Sequence, residues 1–187
     1  MKNKKLVIIG IIVIFILGGI SYFIYQKVNE KRQENQIIEY TPAEEITQEQ
    51  MRQTIISLYF KNKDTNTLVP EARNIDVKIL AKEPYITLIN LLLEGPKKSN
   101  LEKTIPEGTK INKIERKQST IEIDFSKEFI ENHKGGIQEE SNTIYSIVNT
   151  LTQLNEVEAV KILIEGKEDY GFKDNAISLK EPFVAQD

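Results

Sequence analysis

The sequence predicts an α/β domain of the α+β type behind an N-terminal transmembrane helix. The domain is expected to be a small mixed sheet with two helices packed on one face, in the order β(β)-α-β-β-α-β. Three observations carry this. Leu6 to Tyr25, "LVIIGIIVIFILGGISYFIY", is a run of twenty residues with no charge. Two later stretches repeat apolar residues at steps of three and four, the period of one helix face. Several shorter stretches alternate apolar with polar residues, the period of a half-buried strand.

At about 1.5 Å per residue the apolar run spans about 30 Å, the hydrocarbon thickness of a bilayer. Tyr22 and Tyr25 fall at its far end, where aromatic residues favour the interface. A cleaved signal peptide would have a shorter apolar core and a small-residue cleavage site. Lys2, Lys4 and Lys5 crowd the short N-terminus, and long following domains translocate with little regard to charge. The expected topology is therefore residues 1–5 cytoplasmic, 6–25 in the membrane and the body outside. Residues 26–50 are polar and charged, with Pro42, and read as a tether. Residues 51–187 read as the folded domain.

Within it, Thr54–Phe60 places Ile56, Leu58 and Phe60 on one face of a strand. Leu68–Val77 is extended but contains Pro70, which suits a sheet edge. "EPYITLINLLLEGP" is a helix: Pro84 fits its first turn, Tyr85, Leu88, Ile89 and Leu92 line one face, and Gly95-Pro96 stops it. "IPEGTKI" turns into a strand over Lys110–Arg116. In Thr120–Phe125, Ile121, Ile123 and Phe125 point inward, Glu122 and Asp124 outward. Gly135-Gly136 precedes a second helix, whose face is Ile144, Ile147, Val148, Leu151 and Leu154. Glu139 and Glu140 in its first turn complement the helix dipole. Val160, Ile162 and Ile164 form a strand stopped by Gly166, and a short strand is expected near Ala176–Lys180.

Composition bounds the chemistry. The 187 residues are 40% hydrophobic and 28% charged, enough for one domain with an appendage. There is no cysteine, hence no disulfide, thiolate metal site, Cys nucleophile or lipid-attachment cysteine. The net charge is -3, but residues 1–32 carry +5 and the remainder -8. An acidic body argues against nucleic-acid binding, which needs a positive face.

Several phrases together carry a resemblance: "ISLYFKN", "LVPEAR", "LINLLLEGP", "IPEGTKI", "IEIDFSKEFI", the Gly136-to-Glu140 spacing, and "YSIVNTLTQLNEVEAVKILIEGK". Their order and spacing, over about residues 53–166, resemble the GerM-type sporulation and spore-germination (GerMN) domain family. The resemblance implies an extracytoplasmic, non-enzymatic α/β module of spore-forming bacteria, serving sporulation and later germination. It also implies kinship with ring-building domains of the channel between mother cell and forespore. The chain departs from the better-known members in having one module and a membrane helix in place of a lipid-modified cysteine.

No catalytic set emerges from the residues. His133 is the sole histidine; a base or metal ligand needs partners, and "HKGG" supplies none, so a solvated loop residue is expected. Gly135-Gly136 lacks the Lys-Ser/Thr of a phosphate cradle, and Glu139-Glu140 would repel an anion. Ser126, between Asp124 and Glu128, is read as a helix cap and not a nucleophile. Glu165 and Glu168-Asp169 lack an oxygen-ligand loop pattern for calcium. Tyr59 and Phe60 are read as one exposed and one core residue. Arg73 has two roles open to it, ordering the loop before the first helix or pairing with a partner's carboxylate. No cofactor, metal or catalytic residue is expected. The candidate partner-contact residues are Arg73, Glu122 and Asp124. Partners are expected among envelope or sporulation proteins, with homo-oligomers included. The rival reading is a ligand-binding module for cell-wall glycan or a small germinant.

Overall fold

The computed structural model describes residues 18–29, 52–172 and 177–185. The chain divides into two compact units, Met1–Ile46 and Thr47–Asp187. In the first, residues 18–29 are helical, with Ile20, Tyr22, Phe23, Ile24 and Tyr25 exposed. Most of the predicted membrane span, and the tether from residue 30 onward, lie outside the described residues. Among the described residues no helix is long and apolar enough to cross a membrane.

The second unit holds two sheets. The first has the order β2-β1-β3, built from β1 (Gln53–Asn62), β2 (Leu68–Asp76) and β3 (Leu101–Glu102). The second has the order β4-β5-β6-β7, built from β4 (Ile111–Lys117), β5 (Thr120–Phe125), β6 (Ala159–Ile164) and β7 (Phe183–Val184). The helices are α1 (Val77–Lys82), α2 (Pro84–Glu94), α3 (Glu128–Glu131) and α4 (Ile137–Leu151). The predicted single sheet is therefore corrected to two. Only the second is mixed: β5 and β6 run parallel, the other neighbours antiparallel. A parallel pair needs a crossover, which α3 and α4 supply.

Local chemistry explains the elements. β1 and β2 form a hairpin whose turn is closed by Asn62; its Oδ1 accepts from Asp64 and Thr65 N–H at 2.9 and 3.2 Å. Pro70 lies in β2, the outer strand of its sheet, where a missing N–H breaks no ladder. Asp76 caps α1 by accepting from Lys78 N–H at 2.7 Å. Pro84 opens α2, and Gly95 closes it with φ 98°. A Cβ at Gly95 would also lie 2.6 Å from Lys103 Cε, a flexible side chain that would have to move, so the positive φ is what calls for glycine there.

One hydrophobic core joins the two sheets. It includes Leu58 and Phe60 of β1, Leu88 and Leu92 of α2, Ile121, Ile123 and Phe125 of β5, Ile147 and Leu151 of α4, and Ile162 of β6. The inward alternation of β5 is as predicted, with Glu122 and Asp124 on the other, partly exposed face. Phe125 stacks on Phe129 at 4.7 Å, and Phe129 leans on Phe172 at 5.8 Å. The C-terminal strand forms at Phe183–Val184, pairing with Val160 and Ala159. Ser178 makes only a single bridge to Gly171, so the expected strand near Ala176–Lys180 is corrected to this later one; Ala176 itself lies outside the described residues.

Candidate functional site

α4 does more than bury its apolar stripe. Beside that stripe run Ser146 and Thr150, with Gln153 in the turn just past the helix end, at spacings of four and three. They seal the edge of β1 that faces away from β2. Gln153 accepts from Ser57 N–H and donates to Ser57 O, both at 2.9 Å. Thr150 Oγ1 accepts from Tyr59 N–H at 3.2 Å, and Ser146 Oγ donates to Tyr59 O at 2.6 Å. Side chains of a helix thus supply the bonds that a neighbouring strand would have made. β3 joins this edge only further along, at Lys61 and Asn62.

A second polar set clasps the loop after α2. Glu71 and Arg73 are 2% and 7% exposed. They lie two apart in β2 and so on one face. Glu71 accepts from Lys97 N–H at 3.0 Å, Lys98 N–H at 2.9 Å and Arg73 Nε at 2.5 Å. Arg73 Nη2 donates to Gly95 O at 2.8 Å. Burial pushes the Glu71 carboxyl up, but the N–H groups of Lys98 and Lys97 and the Arg73 guanidinium outweigh it and hold the group below its ordinary range. Of the two roles open to Arg73, the structure shows loop ordering, and the loop is the one that follows the helix.

A cavity of about 440 Å³ opens between the 102–107 segment and the 132–139 segment. Its lining includes Glu102, Glu107, Asn132, His133, Lys134 and Glu139. Lys61, 5% exposed, bridges Glu102 at 2.5 Å and Glu139 at 2.6 Å. Burial lowers the Lys61 pKa, but the two carboxylates raise it further, so its net displacement is upward. Lys61 in turn draws the Glu102 pKa down.

His133 corrects an expectation. It is 6% exposed, not solvated. Thr143 Oγ1 donates to Thr104 O at 2.7 Å, so the 2.9 Å contact to His133 is donated by Nε2–H. Nδ1 accepts from Gly135 N–H at 3.0 Å. The ring sits 4.6 Å from that of Phe172. Glu140 lies in the first turn of α4 as expected, is fully buried and accepts from Ile177 N–H at 3.2 Å. Ser126 is not the cap of α3; its Oγ accepts from Lys110 N–H at 3.0 Å. Its hydroxyl is also the main influence holding the Glu128 carboxyl low.

The remaining candidates lie on the second sheet. Glu122 pairs with Lys117 at 2.6 Å. Asp124 accepts from Gly166 N–H at 2.8 Å, and Glu165 from Lys127 N–H at 3.0 Å. Arg73 is not brought near them by any bond; it belongs to the first sheet. Phe60 is buried and Tyr59 half-buried. Among the described residues no group of three or more His, Cys, Asp and Glu side chains could hold a metal ion. Residue-by-residue reading missed Glu71, Lys61 and the Ser146-Thr150-Gln153 stripe. The two-residue spacing in "PEAR" was the available signal for the first, and helical spacing of small polar groups for the last.

Fold and polar network together define an α/β module whose polar and ionisable side chains hold loops, turns and an edge in place. Residues 57–170 match the family model Germane, described as sporulation and spore germination, and the chain belongs to that family. The tandem GerMN domains of the sporulation protein GerM from Bacillus subtilis share the fold, with TM-score 0.60 and 24% identity. That match covers 79% of this chain, which spans only 50% of the tandem structure. The first GerMN domain of the same protein matches with TM-score 0.59 and 20% identity, over 72% of this chain and 99% of that domain. No curated protein matches the sequence.

Proposed function

We propose that the chain is a membrane-anchored, extracytoplasmic component of sporulation or germination, acting by protein assembly and not by catalysis. Leu6–Tyr25 is the anchor, with the N-terminus in the cytoplasm. The family supports the biological setting. The observation that carries the non-enzymatic part is the employment of the candidate groups: His133, Ser126, Arg73, Glu71 and Asp124 all hold backbone in place. A nucleophile or base needs a free face toward substrate, and these side chains spend theirs on the fold.

The test combines location with phenotype. The chain has no cysteine, so Asn112→Cys provides a unique thiol at an exposed position. A membrane-impermeant thiol reagent should label it on intact cells, and a strain lacking the protein should yield fewer heat-resistant or germination-competent spores. Labelling only after lysis would refute the topology. Normal spore counts and germination in the deletion strain would refute the biological role.

A further inference from the structure

A short helix that buries none of its residues needs another reason to be apolar. α1 follows β2 directly, and none of its six residues is buried. Leu80 is the one that leans on the core. Helical spacing turns Lys78 and Lys82, four apart, to the opposite side, with Val77 and Ile79 to either side of them. Val77 and Ile79 are 43% and 56% exposed. The outward half of α1 is therefore aliphatic side chains and lysines. Lysine stems add apolar surface of their own below a charged head.

The hairpin register sets Gln53 opposite Asp76, so the start of β1 lies beside the start of α1. Ile55, 71% exposed, belongs to the same end, and so does Arg52, also exposed. The exposed large hydrophobic side chains of the second unit, among the described residues, are Ile55, Val77, Ile79, Ile137, Tyr170 and Val184, so half of them collect at this one end. The carboxylates flanking α1 are Asp76, which caps it, and Glu83, just past its last residue. Arg52, Lys78 and Lys82 outnumber them by one, in a body whose residues 33–187 carry -8. The cations of this acidic domain are thus placed where its apolar side chains stand out.

We propose that α1 and the adjoining start of β1 form a membrane-docking corner. Val77, Ile79 and Ile55 enter the interfacial layer of a bilayer containing anionic lipid, and Arg52, Lys78 and Lys82 meet its phosphates. Short basic helices with exposed aliphatic side chains bind such surfaces through buried apolar area and attraction to anionic headgroups together. The path of the chain agrees. Only residues 26–51 separate the proposed anchor from Arg52, and the chain enters the domain at this end of the hairpin. A domain tethered to the surface meets it at high effective concentration, so a weak contact suffices. The inference rests on the anchor proposed above, and it adds a fixed orientation of the domain on the membrane.

The chain has no native cysteine, so Ala81→Cys on α1 and Asn112→Cys on β4, both at exposed positions, can each carry one polarity-sensitive dye. The full chain is reconstituted into vesicles of phosphatidylcholine and phosphatidylglycerol that hold a nitroxide-labelled lipid. Flotation with the vesicles reports the anchor, and quenching by the lipid reports the corner. The dye at residue 81 should shift to the blue and be quenched; the dye at residue 112 should do neither. Val77→Ser with Ile79→Ser, and separately Lys78→Glu with Lys82→Glu, should abolish the quenching at residue 81 while the chain still floats. If the serine variant does not melt like the parent, the lysine variant decides. A chain that floats with residue 81 unquenched overturns the inference and leaves the anchor standing, as does quenching that survives both variants. Equal quenching at residues 81 and 112 overturns it too. So does a blue shift without quenching, since protein, a second copy included, would then cover the corner. A chain that does not float refutes the anchor and the inference with it.

Discussion

Glu71→Gln isolates the clasp on β2 from everything else in the fold. The substitution keeps the shape and removes the charge. It leaves the Arg73 guanidinium buried beside a neutral amide, and it turns one acceptor oxygen into a donor facing the Lys97 and Lys98 N–H groups. Breaking a buried ion pair from one side costs about 3–5 kcal/mol, a large share of the roughly 5–15 kcal/mol that a domain has. At about 3 °C per kcal/mol for a domain of this size, the melting temperature should fall by roughly 10–15 °C. Glu71→Met with Arg73→Met tests the cause. If charge pairing were all that mattered, the apolar double variant would approach the parent. It should stay below it, because two backbone N–H groups remain unpaired at about 1–3 kcal/mol each. The pH dependence has a definite sign. The carboxyl is held below its ordinary 4.5 in the folded chain. Its contribution is therefore complete above that value and is lost as pH falls through the lower folded one. Thermal melts of the full chain at neutral and acid pH should show the parent losing this contribution and Glu71→Gln having none to lose. A Glu71→Gln chain that melts with the parent at neutral pH would refute the clasp.

Ser146→Ala should cost about 1–3 kcal/mol in urea unfolding, since Tyr59 O loses its donor in a buried setting; Gln153→Ala, at an exposed position, should cost less, and the reverse order would count against the edge seal. His133→Ala should lower the melting temperature, because it removes the acceptor for Gly135 N–H and the donor to Thr143 together with the contact to Phe172. An unchanged melt would restore the reading of His133 as a solvated residue.

The apolar pattern was legible to the residue in places. β5 runs over Thr120–Phe125 as its alternation predicts, and Pro84 and Gly95 bound α2 as their backbone chemistry requires. The division into two sheets was not legible. It depends on which strands become neighbours, and periodicity describes one strand at a time. The short elements α1 and β3 were missed because six residues, or two, carry no period, and the four-residue α3 was signalled only by the reading of Ser126 as a helix cap. β7 escaped for the same reason: Phe183–Val184 is held only by its pairing with Val160 and Ala159. Arg73 shows the limit for the site. Its sequence identified an unusual cation, but only the fold reveals that Gly95 O lies within its reach.

The misreading of His133 and the unforeseen burial of Glu140 and Ser126 share a cause. Residue type alone places such polar residues mostly at the surface. A burial decision depends instead on whether the surroundings satisfy the group, since an unsatisfied polar atom inside costs several times what a satisfied one returns. Here loops must turn tightly around a core shared by two sheets, and their backbone groups need partners that no ladder supplies. Gly135 N–H, Lys110 N–H and Ile177 N–H find them in His133, Ser126 and Glu140. The same demand places Glu71 under Lys97 and Lys98 and Gln153 against Ser57. Side chains that elsewhere perform chemistry are thereby committed to shape. What the module then offers to its surroundings is what this economy leaves unmatched, and at the end of the first hairpin that is the exposed Val77, Ile79 and Ile55.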